Sequence, residues 1–402
     1  MAVYNNTGYT PLNQNEITSP IEPQYPNPKS DAYWKKDSVS KAVSIEKPII
    51  PTESLLNLQN ALIPLFDLDA IDQMSGPARA EHVQKFMETL EDIGFAAVKA
   101  ESLTPLIAHV EEVMQAYFNR SLEEKMQDWN ENNSLGYSQR GRETAAGSQV
   151  ADLKETFFVP PGFTKWPKEM PQFEKAIEPY RQRLMEIAVQ VMRIIAEGVN
   201  EPSEDVAESM QTAYNLLRLA HYPARKNGDD LNAVWAAPHE DLNAITLLPP
   251  SKVPGLQLMT KQGEWKAVSV PEGYLIVNTG EQLERKTAGY IRATRHQVLN
   301  PGGHYAQQSR YASIFFASWP PAFSLSPFKS CKERLFTDPK VSDKEACLHK
   351  FSNVSVQDNL DSRLIEMGTI ANPSQEMVAR LRGLGLLQQP PKALRELYPG
   401  YF

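Results

Sequence analysis

Val83, Phe86, Met87, Leu90 and Ile93 recur at three- and four-residue spacing, the apolar stripe of an amphipathic helix. Gly94 closes that stripe, and Phe95-Ala-Ala-Val98 follows as a short strand. Leu106, Val110, Val113, Met114 and Tyr117 predict a second helix ending near Asn119. A long third helix is predicted from about Gln172 to Val199, burying Phe173, Ile177, Leu184, Ile187, Ala188, Val191 and Ile194. After Leu217 the pattern changes to short apolar, β-branched runs bounded by Gly and Pro. One is Leu242 to Leu248, stopped by Pro249-Pro250; the others are Gly273 to Asn278, Tyr290 to Leu299 and Arg310 to Ala317. Several short strands with turns between them favour a sandwich or barrel over a parallel α/β sheet.

The rest of the chain reads as surroundings. Residues 1–52 hold seven prolines and form an extended, Pro-rich N-terminal arm without a core, with Tyr25, Tyr33 and Trp34 as its docking side chains. Residues 53–210 are an N-terminal helical and strand region that packs on the barrel, and 211–325 are the core. Residues 326–402 are C-terminal loops and helices, whose last apolar face is Met377, Val378, Leu381 and Leu384. The polar, Gly-containing stretch 131–165 is expected to loop over the barrel mouth and select the substrate.

Composition narrows the partners. A net charge of −8, with no basic patch interleaved with aromatics, argues against a nucleic-acid partner. No apolar run approaches 18 residues, and Met1 to Asn6 lacks both the basic start and the apolar core of a signal peptide. A soluble, cytoplasmic protein without a membrane partner is expected. The two cysteines, Cys331 and Cys347, suit a reducing compartment better than a disulfide framework. Nothing in the sequence sets the oligomeric state.

The candidate chemistry lies in Pro238-His-Glu-Asp-Leu-Asn-Ala-Ile-Thr-Leu-Leu248. His239 and Asp241 are followed 57 residues later by His296, and then by Arg310. Two imidazoles and a carboxylate are the set that holds a non-haem Fe(II) on one face and leaves positions open. Seven histidines and 49 acidic residues in 402 positions produce about one His-x-acid match by chance, and the chain holds two. The other, His109-Val-Glu111, falls on the second predicted helix, where residues two apart point to opposite sides. His239 and Asp241 precede a strand-like run, and on a strand residues two apart point the same way. His221 reads as a structural histidine beside Tyr222, His82 and His349 as surface residues, and His304 as part of the turn before Arg310; none is assigned to iron.

These words resemble a known family. Leu217-Arg-Leu-Ala-His-Tyr-Pro223, Ala237-Pro-His-Glu-Asp-Leu-Asn-Ala-Ile-Thr-Leu-Leu-Pro249, Pro254-Gly-Leu-Gln257, Gly273-Tyr-Leu-Ile-Val-Asn-Thr-Gly280, His296-Gln-Val298 and Arg310-Tyr-Ala-Ser313 resemble the isopenicillin N synthase-like Fe(II)- and 2-oxoglutarate-dependent oxygenases, particularly bacterial members. Upstream, Gly94-Phe95, Gly136-Tyr137 and Asp152-Leu-Lys-Glu155 are similar too, so the resemblance spans roughly residues 58–370.

The resemblance implies a mainly β fold with surrounding α-helices, its core a double-stranded β-helix, or jelly roll. It implies His239, Asp241 and His296 as iron ligands, Arg310 as the cation for the distal carboxylate of 2-oxoglutarate, and Tyr222 as a hydroxyl donor beside it. The cofactor is then Fe(II), the co-substrates 2-oxoglutarate and O2, and the reaction oxidation of a C–H bond of a small-molecule substrate by hydroxylation, desaturation or cyclisation. Three positions depart from the pattern: Ala312 where the family has the serine of Arg-x-Ser, Ala220 where many relatives have asparagine, and Gln297 after the distal histidine. Strand alternation turns Ser313 away from Arg310. Two other readings stay open: an Fe(II) oxidase independent of 2-oxoglutarate, and a non-catalytic jelly-roll binding protein.

Overall fold

The structure is a computed structural model, and it describes residues 60–129, 135–141, 152–224, 234–388 and 390–402. The N-terminal arm expected over residues 1–52 lies outside them. The chain begins with β1 (Leu65–Phe66), α1 (Leu68–Gln73), α2 (Gly76–Ile93), β2 (Phe95–Lys99), α3 (Thr104–Phe118), α4 (Leu122–Met126), β3 (Gly136–Ser138) and β4 (Glu155–Val159). Then come α5 (Pro171–Gly198), α6 (Ser203–Val206), β5 (Leu216–Tyr222), β6 (Ala236–His239), β7 (Ile245–Leu248), β8 (Leu256–Met259), β9 (Trp265–Ala267) and β10 (Tyr274–Thr279). The series closes with α7 (Glu281–Lys286), β11 (His296–Val298), β12 (Arg310–Ala317) and five C-terminal helices from Lys329 onward.

Two sheets form the core, one of eight strands in the order β1-β2-β10-β7-β12-β5-β4-β3 and one of four in the order β6-β11-β8-β9. They face each other as a jelly-roll sandwich, and hydrogen bonding does not close them into a barrel. The region before residue 210 therefore supplies four strands to the larger sheet as well as the helices outside it. Side chains alternate across that sheet. Arg218, Ala220 and Tyr222 of β5 and Arg310, Ala312, Ile314 and Phe316 of β12 face the smaller sheet. Leu217, Leu219, Phe315 and Ala317 face the helices and join the main core with α2, α3 and α5. In α5, thirteen buried residues, among them Phe173, Ile177, Leu184, Ile187 and Val191, pack its apolar face on the sheet. Among the described residues no helix is long and apolar enough to cross a membrane.

Two expectations fail. Residues 131–165 are not all loop: β3 and β4 lie there as the edge of the larger sheet. Tyr290–Leu299 pairs as a strand only over His296–Val298. At Ile291–Thr294 the backbone is bound by side chains instead, the Arg292 carbonyl accepting from Thr279 Oγ1 at 2.6 Å and the Ala293 N–H donating to Glu284 at 2.8 Å. Polar groups satisfied in that way cannot also pair with a strand.

Gly94 ties the helix layer to the strand of the distal histidine. It caps α2 with its N–H on the Leu90 carbonyl, at φ 66°. A Cβ there would meet Thr294 Oγ1 at 2.0 Å, and that hydroxyl donates to the Ile93 carbonyl. Gly94→Ala is expected to lower stability in urea unfolding by more than about 1 kcal/mol, since the strained φ and the clash add.

On the helix side of β4, the buried Glu155 carboxylate accepts from Lys125 Nζ at 2.8 Å, Tyr137 Oη at 2.6 Å and His221 Nδ1 at 2.7 Å. Burial pushes this carboxyl up, but the three donors outweigh burial and hold it below its ordinary 4.5. Its stabilisation is complete above about pH 4.5 and is lost as pH falls through the lower folded value. Glu155→Gln strands the Lys125 charge and is expected to cost about 3 kcal/mol at pH 7. In paired thermal melts the gap between variant and wild type should close as pH drops below 4.5.

Candidate active site

β6 and β11 are neighbours in the smaller sheet, and their register sets His239 directly opposite His296. The two rings lie 4.4 Å apart between centroids. Each is oriented through its own backbone: His239 Nδ1 donates to the Ala237 carbonyl at 2.8 Å and His296 Nδ1 to the Thr294 carbonyl at 2.9 Å. A carbonyl only accepts, so Nδ1 carries a proton on both rings and Nε2 is the nitrogen turned toward the cluster.

Asp241 arrives differently from expected. β6 ends at His239 and the next strand starts at Ile245 in the other sheet, so Asp241 lies in the bend that crosses between sheets. Peptide bonds fix that bend. The Asp241 carbonyl accepts from Glu281 N at 2.8 Å and the Asn243 carbonyl from Gln282 N at 3.1 Å. Thr246 and Asn278, register partners on β7 and β10, then both donate to Asp241 Oδ2, at 2.6 and 2.8 Å. Oδ1 stays free of them and faces both imidazoles, 3.8 Å from His239 Nε2 and 3.9 Å from His296 Nε2. Among the described residues these three are the group able to hold a metal, with one donor atom from each within 4.8 Å of the others.

The electrostatics fit a cation at that point. Desolvation, then the neighbouring His296, pushes His239 well below the usual imidazole range, so the ring is neutral and can donate its lone pair. Burial pushes Asp241 up, but its surroundings, among them the hydrogen bonds from Thr246 and Asn278, outweigh it and keep the carboxylate ionised. Neutral imidazoles and an ionised carboxylate are the protonation states that Fe(II) requires.

Arg310 opens β12 on the same wall, opposite Tyr222. Its guanidinium lies 5.1 Å from the Tyr222 ring centre, and its buried Nε and Nη1 have no hydrogen-bond partner among the described residues. Burial lowers it from its usual value, yet a guanidinium stays charged. A buried cation with donors left unfilled fits a dianionic co-substrate, whose carboxylate would supply the missing acceptor and counter-charge. Ser313 does turn away: its hydroxyl pairs with Tyr180 of α5 at 2.8 Å. Ala312 takes the inward place and lies directly opposite Ala220.

His221 faces the helices, stacked on Tyr311 at 4.7 Å, His82 is half-buried, and His109, His304 and His349 are exposed. Glu111, beside the discarded His109, pairs with Lys252 instead. Tyr137 is buried against Glu155, and Arg142 lies outside the described residues. Sequence reading missed Thr246, Asn278 and Arg218, which lines the site and packs over Phe316 at 4.9 Å. The available signal was a lone hydrogen-bonding side chain in an otherwise apolar strand: Thr246 in Ile245-Thr-Leu-Leu248, and Asn278 closing Leu275-Ile-Val.

Comparison with known proteins agrees with this geometry. Residues 63–181 match the non-haem dioxygenase in morphine synthesis N-terminal family, and residues 213–318 match the 2OG-Fe(II) oxygenase superfamily. The chain belongs to the 2OG-Fe(II) oxygenase superfamily. As a 2OG-Fe(II) oxygenase it is a non-haem iron, 2-oxoglutarate-dependent dioxygenase, with Fe(II) as cofactor and 2-oxoglutarate and O2 as co-substrates. It is 29% identical to a proline hydroxylase of Petromyces alliaceus, over 62% of this chain and 85% of that one. It is 27% identical to a mugineic-acid 3-dioxygenase of Hordeum vulgare, over 58% and 69%. The match to a gibberellin 2-beta-dioxygenase of Arabidopsis thaliana is also 27% identical but spans only 47% of that relative. Among solved structures, the full-length T7H of Neurospora crassa in complex with alpha-KG superposes with a TM-score of 0.66 at 23% identity, covering 77% of this chain and 98% of that one. A putative oxygenase of the same family from Caulobacter crescentus gives 0.63 at 24% identity, over 76% and 99%.

The doubly held Asp241 yields a test. Asn278→Leu keeps the volume but removes one donor from Oδ2, and is expected to weaken Fe(II) binding by about tenfold in anaerobic calorimetry. Wild-type affinity would show that Thr246 alone suffices.

Proposed function

We propose that His239, Asp241 and His296 hold the Fe(II) of this oxygenase, that Arg310 and Tyr222 hold 2-oxoglutarate, and that the enzyme oxidises a C–H bond of a small organic molecule. The buried Arg310, whose Nε and Nη1 have no hydrogen-bond partner among the described residues, beside the three-donor cluster carries this reading. Bound iron with 2-oxoglutarate and O2 supplies the oxidising power for an unactivated carbon. The residues do the rest. Three donors on one side of the cluster keep the other side open, and the Arg310 fork fixes the orientation of the 2-oxoacid. Leu248, Leu256, Val298, Ile314 and Phe316 wall the cleft with apolar surface that excludes water and aligns an organic substrate.

The small-molecule class also follows the relatives, which act by name on proline, mugineic acid and gibberellin. On the motif words from Leu217 to Trp319 we place the chain in the isopenicillin N synthase-like group as a bacterial-type member. Its curated relatives quoted above are fungal and plant, and the Caulobacter protein is bacterial. A cytoplasmic setting belongs to the same proposal, supported by the free thiols Cys331 and Cys347.

Anaerobic Fe(II) plus 2-oxoglutarate is expected to give a visible charge-transfer band that His239→Ala abolishes, and air should then yield succinate. No band and no succinate would sink the proposal, and oxygen uptake on a substrate without 2-oxoglutarate would point to the oxidase. Arg310→Ala is expected to raise KM for 2-oxoglutarate on the order of 30-fold, the loss of a charge-assisted pair worth about 2 kcal/mol. Iron binding should be unchanged in that variant.

A further inference from the structure

The run Asp152-Leu-Lys-Glu155 takes no part in the chemistry above, yet two of its charged side chains, Asp152 and Lys154, are 3% and 5% exposed. Glu155 turns to the helices. Asp152 and Lys154 do not: Lys154 Nζ donates to Asp152 Oδ2, and Asp152 Oδ1 accepts the Ala237 N–H at 3.1 Å. Beside them the Leu153 N–H donates to the Val234 carbonyl at 2.9 Å.

The place of this contact in the fold gives it meaning. β6 is the outermost strand of the smaller sheet, paired with β11 on one side only. A buried edge N–H needs a partner from elsewhere. Asp152, just before β4 of the other sheet, supplies it and so stitches the two sheets together at β6. The peptide it holds is that of Ala237. The carbonyl of the same residue accepts from His239 Nδ1 at 2.8 Å and sets the tautomer and tilt of that ring. A chain of contacts thus runs from Lys154 through Asp152 and Ala237 to the imidazole.

We infer that Asp152, held by Lys154, is a positioning residue for His239: its carboxylate fixes the Ala237 residue whose carbonyl aims the imidazole at the metal. It touches neither iron nor substrate. The inference rests on the proposed role of His239 as a ligand. A buried ion pair adds little net stability, and apolar residues of similar volume commonly replace one without loss of fold. Positioning and stability can therefore be separated.

The test uses the double variant Asp152→Leu/Lys154→Met of the full chain, with Co(II) as the probe of the metal-free protein under nitrogen. The double variant removes both charges of the pair together and takes the acceptor away from the Ala237 N–H. We expect its thermal midpoint without metal to stay close to wild type, while Co(II) affinity by calorimetry falls about tenfold, the scale of lost outer contacts at metal sites. The visible Co(II) absorption band should shift in position or intensity, which a purely structural role would not produce. Wild-type affinity together with a wild-type band overturns the inference. Should the double variant not fold, Asp152→Asn decides by the same two readouts: a neutral acceptor beside Lys154 is expected to lower affinity several-fold, and unchanged affinity and band overturn the inference. Failure of wild-type protein itself to bind Co(II) would instead overturn the assignment of His239, Asp241 and His296.

Discussion

The structure depends on where one carboxylate stands. Asp241 lies in the bend that carries the chain from the four-stranded to the eight-stranded sheet, and each of its oxygens serves a different sheet. Oδ2 is bound by Thr246 and Asn278 of the larger sheet, and Oδ1 faces the imidazoles of the smaller one. A charge taken out of water is tolerable only when its hydrogen bonds are made or a counter-charge is present. Here the protein makes one half of those interactions and leaves the other half for a cation. The same bend is held at its backbone by the start of α7, so the carboxylate cannot swing away to solvent.

A second buried charge follows a related logic. Arg310 lines the same cleft as the three-donor cluster with two donors unfilled among the described residues, and the β12 side chains beyond it on that face, Ala312, Ile314 and Phe316, are apolar. The two alanines that depart from the family pattern, Ala220 and Ala312, are not independent. They are register partners on β5 and β12, adjacent to the Arg310 and Tyr222 pair, so the two missing polar contacts fall at one spot. Arg310 and Tyr222 are thereby left as the polar groups at that spot, and under the proposed assignment the co-substrate would rely more on the guanidinium than in a site with a serine and an asparagine there.

The helices and the site words were legible in the sequence for different reasons. The stripes that became α2, α3 and α5 are long and periodic, and their apolar faces bury as expected. The clustering of His239, Asp241, His296 and Arg310 was readable because the alternative His-x-Glu pair sits on a helix, where residues two apart point to opposite sides. The reason given for Asp241 was only half right: it shares the site because a bend delivers it, and it does not lie on a strand with His239. Residues 131–165 looked like loop because β3 and β4, three and five residues long, are too short to show periodicity among the polar residues around them, and Tyr290–Arg295 looked like strand because no local pattern reveals the side chains that bind the backbone at Ile291–Thr294.

By itself the sequence determined which residue types are available, that they lie in a β region wrapped by helices, and that an outward Ser313 cannot stand in for Ala312. These follow from local periodicity and from the alternation of side chains along a strand. Only the tertiary structure decided what surrounds the cluster. Thr246 and Asn278 are 32 residues apart in sequence and meet on Asp241 because β7 and β10 pair, and Asp152 reaches Ala237 across 85 residues because the two sheets meet there. Hydrogen bonds across such separations depend on strand register and sheet packing, and those are set by the burial of the whole core, which no short stretch of sequence contains.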